Sequence, residues 1–408
     1  MLRRQFLQAL GSAAAFPVFG PLRAEGAEAV NLTYGLPAGA YGVAQMGTLP
    51  GKRPLIEWTA RPPNYEAPLS AFATPFTPND LFFVRYHLAG IPPQIDVQQW
   101  QIAIGGGGVA TPLQLGFQDL QRGFEQVEVP AVCQCSGSRR GLSDPHVPGV
   151  QWGVGAMGCA RWRGPRVKDI LAKAGIKPGA VEVVFNGADG PVLTTTPDFV
   201  KSLPIAKVMD ENTIVALEMN GEPLPHFNGY PARLIVPGWT GTYWMKHLIS
   251  IEPVMKPFDG FWMKAAYRIP TGMFPTVQIF ATQQNEMTTP ITEMVVNSLI
   301  TLPAEGARFR IGEPVTVTGL AWDGGYGIRS VVVSIDNGAS WREAMLGEDS
   351  GRYAFRTWAY RFTAAGPASQ TIRAKATNRL GESQVETLIF NGAGYHNNVV
   401  RPTTIVIA

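Results

Sequence analysis

One short segment combines residue types that could bind a metal or react as a nucleophile. Cys133, Cys135, Arg139 and Arg140 all lie within residues 133–140, in a stretch that Ser and Gly open into a turn. Guanidinium groups beside a cysteine lower the pKa of its thiol and attract anions. The spacing therefore indicates a metal-ligating or reactive thiolate inside a cationic pocket. On spacing alone, a surface turn whose cysteine packs inward remains an equal alternative.

The cysteines and histidines of the chain argue against three common kinds of site. There are three cysteines, of which Cys133 and Cys135 are too close for an easy disulfide, so the sequence does not describe a disulfide framework. No Cys-x-x-Cys-His segment for haem attachment occurs. The five histidines form neither an i,i+4 pair nor a short cluster with cysteine, which argues against a structural zinc site.

Composition indicates a globular, strand-rich chain of about two or three domains. The 408 residues are 45% hydrophobic and 16% charged, and the 45 glycines and 34 prolines are dispersed without a repeat. A net charge of +3 gives no strong basic field, so nucleic acid is not an expected partner.

The N-terminal residues resemble an export signal. Arg3 and Arg4 precede Phe6, Leu7 and a modest apolar run that is too short to span a bilayer. This pattern predicts a twin-arginine signal over residues 1–29, export of a folded protein to the periplasm, and no integral membrane segment once the leader is removed. An ordinary exposed tail is the alternative.

The elements that must position the cysteine segment are predicted as short strands and short helices. Residues 165–174 predict a helix, because the apolar residues fall on one face and a glycine follows at 175. Strands are predicted at 81–88, 99–104, 127–132, 181–185 and 233–236. Such a mixture favours an α+β domain over a repeating βαβ fold.

The pattern changes near residue 290. Strands are predicted at 315–318, 330–335, 371–376 and 403–407, and Asp336-Asn337-Gly338 reads as a hairpin turn. Their spacing favours an immunoglobulin-like β-sandwich. The predicted domains are an extended arm over 30–75, an α+β domain over 76–288 and an all-β sandwich over 289–408, with the boundary between about Gln284 and Ser298.

Residues 135–140 resemble the Cys-Ala-Gly-Asn-Arg-Arg motif of the sulfite oxidase family, in which the cysteine binds molybdenum. The resemblance covers roughly residues 75–408 and continues through segments 83–88, 152–164, 218–225, 229–238 and 358–361. The chain departs from the family at Ser138 and Tyr86, where the family has Asn. The haem-binding cytochrome domain of animal members has no counterpart, because residues 30–75 are too few.

The resemblance implies one molybdenum-molybdopterin centre per chain and no haem bound by this chain alone. Cys135 would be the single protein ligand of the metal, and a soft thiolate suits a centre that also holds two dithiolene sulfurs. Cys133 and Cys159 match no ligand position and are expected to be packing cysteines. Pterin or phosphate binding is assigned to three basic residues: His87, Arg233 and Lys246.

The resemblance also implies an anionic substrate. Arg85, Arg140 and Arg361 would gather around it, and Trp152 and Tyr267 would be the aromatic members of the pocket. Three converging cations destabilise a site unless an anion offsets them, which fits sulfite or sulfate. Tyr267, with Arg85 and Arg140, is the predicted catalytic group, since its hydroxyl would donate a hydrogen bond near the reacting atoms.

The implied function is a molybdenum-dependent sulfite dehydrogenase that passes electrons to a c-type cytochrome, either a stable subunit or a separate acceptor. The alternatives are a sulfane dehydrogenase subunit of a thiosulfate-oxidising complex and an oxygen-using sulfite oxidase. A methionine sulfoxide reductase of related fold and a non-catalytic module fit less well. The assembly would be a heterodimer with the cytochrome or a homodimer through the sandwich domain.

Overall fold

A computed structural model of the chain describes residues 29–31, 43–272, 287–366 and 368–408. The predicted leader lies outside these residues except for Ala29, and so do residues 284–286 of the predicted domain boundary. Within the described residues, no helix has the length and apolar character that crossing a membrane would require.

The part of the chain before residue 272 is an α+β region of short elements around one core. Its strands are β1 Ala29–Asn31, β2 Val43–Gly47, β3 Leu55–Thr59, β4 Asn64–Glu66, β5 Val84–Arg85, β6 Gln101–Ile104, β7 Leu113–Gly116, β8 Val127–Gln134, β9 Met157–Gly164, β10 Glu182–Gly187, β11 Val200–Pro204, β12 Ile214–Ala216, β13 Glu218–Met219, β14 Glu222–Pro223, β15 Arg233–Ile235, β16 Leu248–Val254 and β17 Arg268–Pro270. Its helices are α1 Phe117–Arg122, α2 Val167–Ala174, α3 Ile205–Val208 and α4 Phe261–Lys264. Short 3-10 turns lie at Leu69–Phe72, Asn79–Leu81, Arg140–Leu142, His226–Asn228 and Gly241–Tyr243.

Two sheets of this region position the cysteine segment. The order β14-β13-β9-β8 places β8, which ends at Gln134, beside β9 over eight paired residues. The order β11-β10-β16-β6-β7 forms the second sheet, in which only the β16–β6 pair is parallel. Cys135 therefore begins the turn that follows an interior-packed strand.

The later part of the chain is a β-sandwich. Its strands are β18 Thr288–Pro290, which pairs with β17, and then β19 Asn297–Leu302, β20 Arg308–Phe309, β21 Pro314–Trp322, β22 Ile328–Ser334, β23 Arg342–Glu343, β24 Met345–Leu346, β25 Arg356–Thr363, β26 Ala368–Asn378 and β27 Pro402–Ile407. The two sheets have the orders β19-β21-β25-β24 and β20-β27-β26-β22-β23 and enclose a core of their own. The prediction of an α+β region followed by an immunoglobulin-like sandwich is confirmed.

Three local predictions met different outcomes. The helix at 165–174 is confirmed as α2: Val167, Ile170, Leu171 and Ala174 are all buried, and Gly175 ends the helix with φ +69°. The strand predicted at 81–88 is wrong in length, since a 3-10 turn precedes it and only β5 pairs with a neighbour. The extended arm predicted over 30–75 instead contains β2, β3 and β4, which pair in sequence with β5.

A buried arginine joins the two regions next to the cysteine turn. Arg139 is 1% exposed, and its Nη2 donates to the Ser298 carbonyl at 2.7 Å. Its Nη1 donates to the Val399 carbonyl at 3.4 Å, and Asn397 Nδ2 donates to the Arg139 carbonyl at 3.0 Å. Burial lowers the pKa of Arg139 to about 9. The first arginine of the motif is thus a structural link to the sandwich.

Candidate active site

A cavity in the α+β region is walled by segments that lie far apart in the sequence. It is bounded by the ends of β5 and β8, the start of β15, and the loops that precede β16 and β17. Six predicted site residues line it: Arg85, His87, Cys135, Arg233, Lys246 and Tyr267. The fold therefore brings together the predicted metal ligand, the predicted pterin-binding cations and part of the predicted substrate site.

Cys135 is held by a tight turn. Its backbone N–H donates to the Ala156 carbonyl at 2.9 Å, and its carbonyl accepts from the Ser138 N–H at 2.9 Å. The thiol is free and the residue is 8% exposed, facing the cavity. Among the described residues, no group of three His, Cys, Asp or Glu could hold a metal. A soft metal at Cys135 would therefore take its further donors from a non-protein group, as a pterin dithiolene provides.

Two polar side chains of the cavity lining have buried hydroxyls that no described protein group hydrogen-bonds. The hydroxyls of Ser136 and Thr242 belong to lining residues, are buried, and have no hydrogen-bond partner within the described part of the chain. Buried polar groups are ordinarily satisfied, so such orphans indicate a bound polar group. The donor set therefore fits a pterin that carries amide and phosphate functions.

Two cations form one side of the cavity. Arg233 donates from Nε to the Trp244 carbonyl at 3.3 Å and from Nη1 to the Asn228 carbonyl at 3.1 Å. Lys246 Nζ donates to the Arg85 carbonyl at 2.7 Å and lies 3.8 Å from the centroid of the Tyr86 ring. Cations held this rigidly can receive an anionic group such as a phosphate without further ordering.

The electrostatics of Lys246 reflect this crowding. Burial lowers its pKa to about 7, and the charges of Arg233 and Arg85 act in the same direction, while Asp189 opposes them. Asp189 is itself buried, and burial raises the pKa of its carboxyl. A bound anion would favour the charged form of Lys246, so the site gains most from a ligand that brings negative charge.

The opposite side is aromatic and contains the predicted catalytic tyrosine. The Tyr267 hydroxyl and His87 Nε2 form a hydrogen bond, and the His87 ring stacks on Phe199 with centroids 3.8 Å apart. Burial lowers the pKa of His87 well below its ordinary value, and the charges of Arg85, Lys246, Lys201 and Arg140 add to the effect. His87, predicted to bind the pterin, thus lies against Tyr267 as a neutral imidazole.

Tyr267 adopts an unusual backbone conformation. Its φ is +58°, in the left-handed region that non-glycine residues rarely enter. Burial raises the pKa of its hydroxyl, although the charges of Arg85 and Arg140 oppose the rise. A strained, protonated phenol that points into the cavity is suited to donate a hydrogen bond at a fixed position.

Arg85 is the predicted substrate arginine that lines the cavity. Its Nη1 donates to Asn64 Oδ1 at 3.1 Å and also to the Tyr86 carbonyl, which fixes one edge of the guanidinium. Asn64 is in β4 and Arg85 in β5, and the two residues are paired in the sheet. The residues before 75, predicted as a surface arm, therefore help to hold the site.

Arg140 and Trp152 lie behind the lining. Arg140 donates from Nε to the Ala393 carbonyl at 2.8 Å and from Nη1 to the Val150 carbonyl at 3.1 Å. A Cβ at Gly137 would come within 2.4 Å of the Arg140 guanidinium, so this approach requires glycine. Trp152 is fully buried beside this turn, where its carbonyl accepts from the Gly141 N–H. Neither residue is part of the cavity wall in the described structure.

Arg361 does not reach the cavity, contrary to the sequence-based expectation. It is exposed on β25, where it pairs with Thr316 of β21. Side chains alternate along a strand, and Trp358, Tyr360 and Phe362 occupy the face that packs on the sandwich core. Arg361 therefore projects from the opposite face, and the sandwich approaches the site through residues 391–396 instead.

Several residues of the cavity carried no recognisable sequence signal. Asp189, Phe199 and Asn228 lie in loops whose approach depends on the tertiary fold, while Ser136 and Thr242 are single small hydroxyl residues. Only Ser136 could have been found from the sequence, because it follows the predicted ligand directly.

Comparisons with known proteins agree with this geometry. The family model "Oxidoreductase molybdopterin binding domain" matches residues 88–262, and "Mo-co oxidoreductase dimerisation domain" matches 288–405. Mitochondrial sulfite oxidase of Mus musculus is 34% identical over 354 residues, which cover 83% of this chain but 63% of that protein. Sulfite oxidase of Arabidopsis thaliana is 30% identical over 374 residues, which cover 86% of this chain and 93% of that protein.

A solved structure has a fold similar to that of this chain. The sulfane dehydrogenase SoxCD from Paracoccus pantotrophus has a TM-score of 0.71 and 26% sequence identity, covering 86% of this chain and 87% of that chain. The molybdopterin-binding domain implies a molybdenum-molybdopterin cofactor at the cavity. On these matches, the chain belongs to the sulfite oxidase family of molybdopterin oxidoreductases.

Proposed function

We propose that this chain oxidises sulfite to sulfate at a molybdenum-pterin centre and passes the electrons to a c-type cytochrome. The observation that carries the proposal is the placement of the Cys135 thiol in one cavity with Arg85 and the His87–Tyr267 pair. This cavity combines a soft metal ligand, an anion-binding cation and a fixed hydrogen-bond donor. Sequence relatives that are sulfite oxidases support the choice of substrate.

The cofactor would be held mainly by residues of the cationic side. Cys135 would bind the metal as a thiolate, and Arg233 and Lys246 would neutralise the pterin phosphate. The free hydroxyls of Ser136 and Thr242 would satisfy polar atoms of the pterin. When bound, this group supplies the two-electron redox change and the oxygen transfer to sulfur.

The chain itself contributes binding and positioning. Arg85 would bind the sulfite anion with the guanidinium edge that its Asn64 contact leaves available. His87 stays neutral, and by donating from its Nε2–H to the Tyr267 oxygen it would hold this hydroxyl in one orientation and leave the phenol proton for the substrate. Tyr267 would then donate a hydrogen bond to the negative charge that develops on the oxygen atoms of the product.

The electron acceptor and location are part of the same proposal. The segment Arg3-Arg4 with its following apolar run supports export by the twin-arginine route to the periplasm. A periplasmic c-type cytochrome would then be the acceptor, either as a stable subunit or as a separate protein. The chain would assemble with that cytochrome or with a second copy through the sandwich, as the name of the matched dimerisation domain suggests.

A sulfane substrate is the second candidate, and one observation favours it. Of the three arginines expected around a dianion, Arg85 lines the cavity, Arg140 is bonded to two carbonyls, and Arg361 is exposed on the sandwich. Fewer free cations suit a substrate of lower charge. The SoxCD likeness supports the same candidate.

Molybdenum content and sulfite-dependent cytochrome c reduction test the proposal. We expect about one molybdenum per chain and activity in the wild type, and loss of activity in Cys135→Ser, because a hydroxyl replaces the soft donor. Cys159→Ser is the matched control, since Cys159 is buried in β9 outside the cavity lining. Metal without sulfite activity would favour the sulfane substrate, and absence of metal from natively matured protein would contradict the proposal.

A further inference from the structure

The sandwich region supplies a tight turn to the back of the active site. Asn391 closes the turn, because its Nδ2 donates to the Tyr395 carbonyl at 2.7 Å and its Oδ1 accepts from the Tyr395 N–H at 2.9 Å. Gly394 has φ +62°, and a Cβ there would lie 2.8 Å from Arg140 Cγ. The turn therefore packs closely on Val147 and Arg140, and both the space and the positive φ favour glycine at this position.

Tyr395 contacts two of the predicted catalytic residues from this turn. Its ring is stacked on the ring of Tyr267, with centroids 5.8 Å apart and planes 11° apart. The Arg140 guanidinium lies 5.5 Å from the centroid of the same ring. Tyr395 is 5% exposed and lies outside the cavity lining, so it acts on the cavity through its neighbours, among them Tyr267 and Arg140.

Tyr267 depends on its neighbours for its position. A left-handed backbone is unfavourable for a non-glycine residue and persists only when surrounding contacts enforce it. His87 holds the hydroxyl, Lys201 Nζ lies 5.1 Å from the ring centroid, and Tyr395 is stacked on a face of the ring. Removal of the stack would let the ring tilt and carry the hydroxyl away from the substrate.

We propose that Tyr395 is a positioning residue that sets the turnover of the site with its oxyanion substrate by fixing Tyr267 and Arg140 from the sandwich side. The inference rests on the proposed function in its choice of substrate, because turnover is measured with sulfite. Its structural part, the fixing of Tyr267, is independent of which sulfur compound is oxidised.

The test compares Tyr395→Leu with Tyr395→Phe in the molybdenum-loaded enzyme. Leucine removes the stack, so we expect kcat per molybdenum to fall roughly tenfold, in line with the loss of an aromatic pair that positions the Tyr267 hydroxyl, while the KM for sulfite changes far less. Phenylalanine keeps the ring and should leave both constants near the wild-type values. Tyr360→Leu is the control, because Tyr360 stacks on Phe362 within the sandwich and away from the site.

Hydrogen–deuterium exchange of the same proteins gives a readout without turnover. We expect faster exchange in residues 258–270 of Tyr395→Leu, and wild-type exchange there in Tyr395→Phe and Tyr360→Leu. If Tyr395→Leu folds too poorly, Tyr395→Met replaces it, since the flexible methionine side chain adapts to the space of the ring without a planar face.

Two results would overturn the inference. One is an unchanged kcat per molybdenum with unchanged exchange in the leucine or methionine variant. The other is a fall in activity that merely follows molybdenum content, with exchange at 258–270 unaltered. A molybdenum-loaded wild type that fails to oxidise sulfite would instead refute the proposed function, and the exchange data alone would then decide the role of Tyr395.

Discussion

Arg233 Nη2 donates a hydrogen bond to the Cys133 thiol at 3.4 Å, across a sequence separation of 100 residues. Both residues line the cavity, and Cys133 is two positions before the predicted metal ligand Cys135. Burial raises the pKa of Cys133, although Arg233 opposes the rise, and the thiol accepts the hydrogen bond. Cys133 was expected only to pack in the core. It also holds the Nη2 group of Arg233 in place by accepting its hydrogen bond.

Replacement of Arg233 by lysine should weaken both folding and cofactor binding. The guanidinium serves three buried acceptors, the Trp244 and Asn228 carbonyls and the Cys133 thiol, and an ammonium group cannot reach all of them. We expect Arg233→Lys to lose about 2–3 kcal/mol in urea unfolding of the cofactor-free chain. Molybdenum content should fall several-fold, whereas Arg329→Lys, at an exposed position of β22, should change neither quantity.

The two arginines Arg85 and Arg361 should behave differently when each is replaced by glutamine. Arg85 faces the cavity, so Arg85→Gln should raise the KM for sulfite about 10- to 100-fold through the loss of a charge-assisted contact. Arg361 is exposed on the sandwich, so Arg361→Gln should keep the wild-type KM. Steady-state kinetics normalised to molybdenum decide the point, and a raised KM in Arg361→Gln would contradict its placement.

The Tyr267 hydroxyl should matter for turnover more than for binding. Tyr267→Phe removes the partner of His87 Nε2 and the proposed donor to the product, so kcat should fall by at least roughly tenfold. Tyr243→Phe is the matched control: it deletes a buried hydroxyl that donates to the Ile291 carbonyl at 2.7 Å, outside the cavity lining. It should lower the melting temperature and leave kcat unchanged. Equal kcat in both variants would refute the role of Tyr267.

The stability of the cofactor-free chain should depend on pH through Lys201. Burial, with a smaller contribution from Arg268, lowers the pKa of Lys201 from 10.5 to about 7. Between these values the unfolded chain binds a proton that the folded chain lacks, so this lysine makes stability rise with pH from about 7 to 10.5. Urea unfolding at pH 7 and 9 should show that the free energy of unfolding of the wild type increases relative to that of Lys201→Met as the pH rises. A pH-independent difference would contradict this assignment.

The sequence was most informative where local chemistry decides the structure. The helix α2 follows from a helical apolar period and a terminal glycine, and the strand before Cys135 follows from its alternating valines. The turn at 135–140, which contains the predicted metal ligand, is recognisable because its cysteine, glycine and paired arginines match a family motif at the same spacing. These features need no knowledge of distant contacts.

The sequence was least informative where partners come from far along the chain. The exposed side of Arg361 is decided by strand register in the sandwich, and a shift of one residue would reverse it. Tyr395 and Lys201 read as ordinary residues, because their contacts with Tyr267 arise only from tertiary packing. The pairing of the early strands with β5 was missed for the same reason.

The contacts of the two motif arginines have a consequence for biosynthesis. Arg140 completes its hydrogen bonds with Ala393, which is 253 residues later, and Arg139 with Val399, which is 260 residues later. When the ribosome has just released the Cys135 turn, these acceptors have not yet been made, and both guanidiniums lack their native partners. A nascent chain therefore cannot complete the native contacts of these two arginines until the sandwich has been translated.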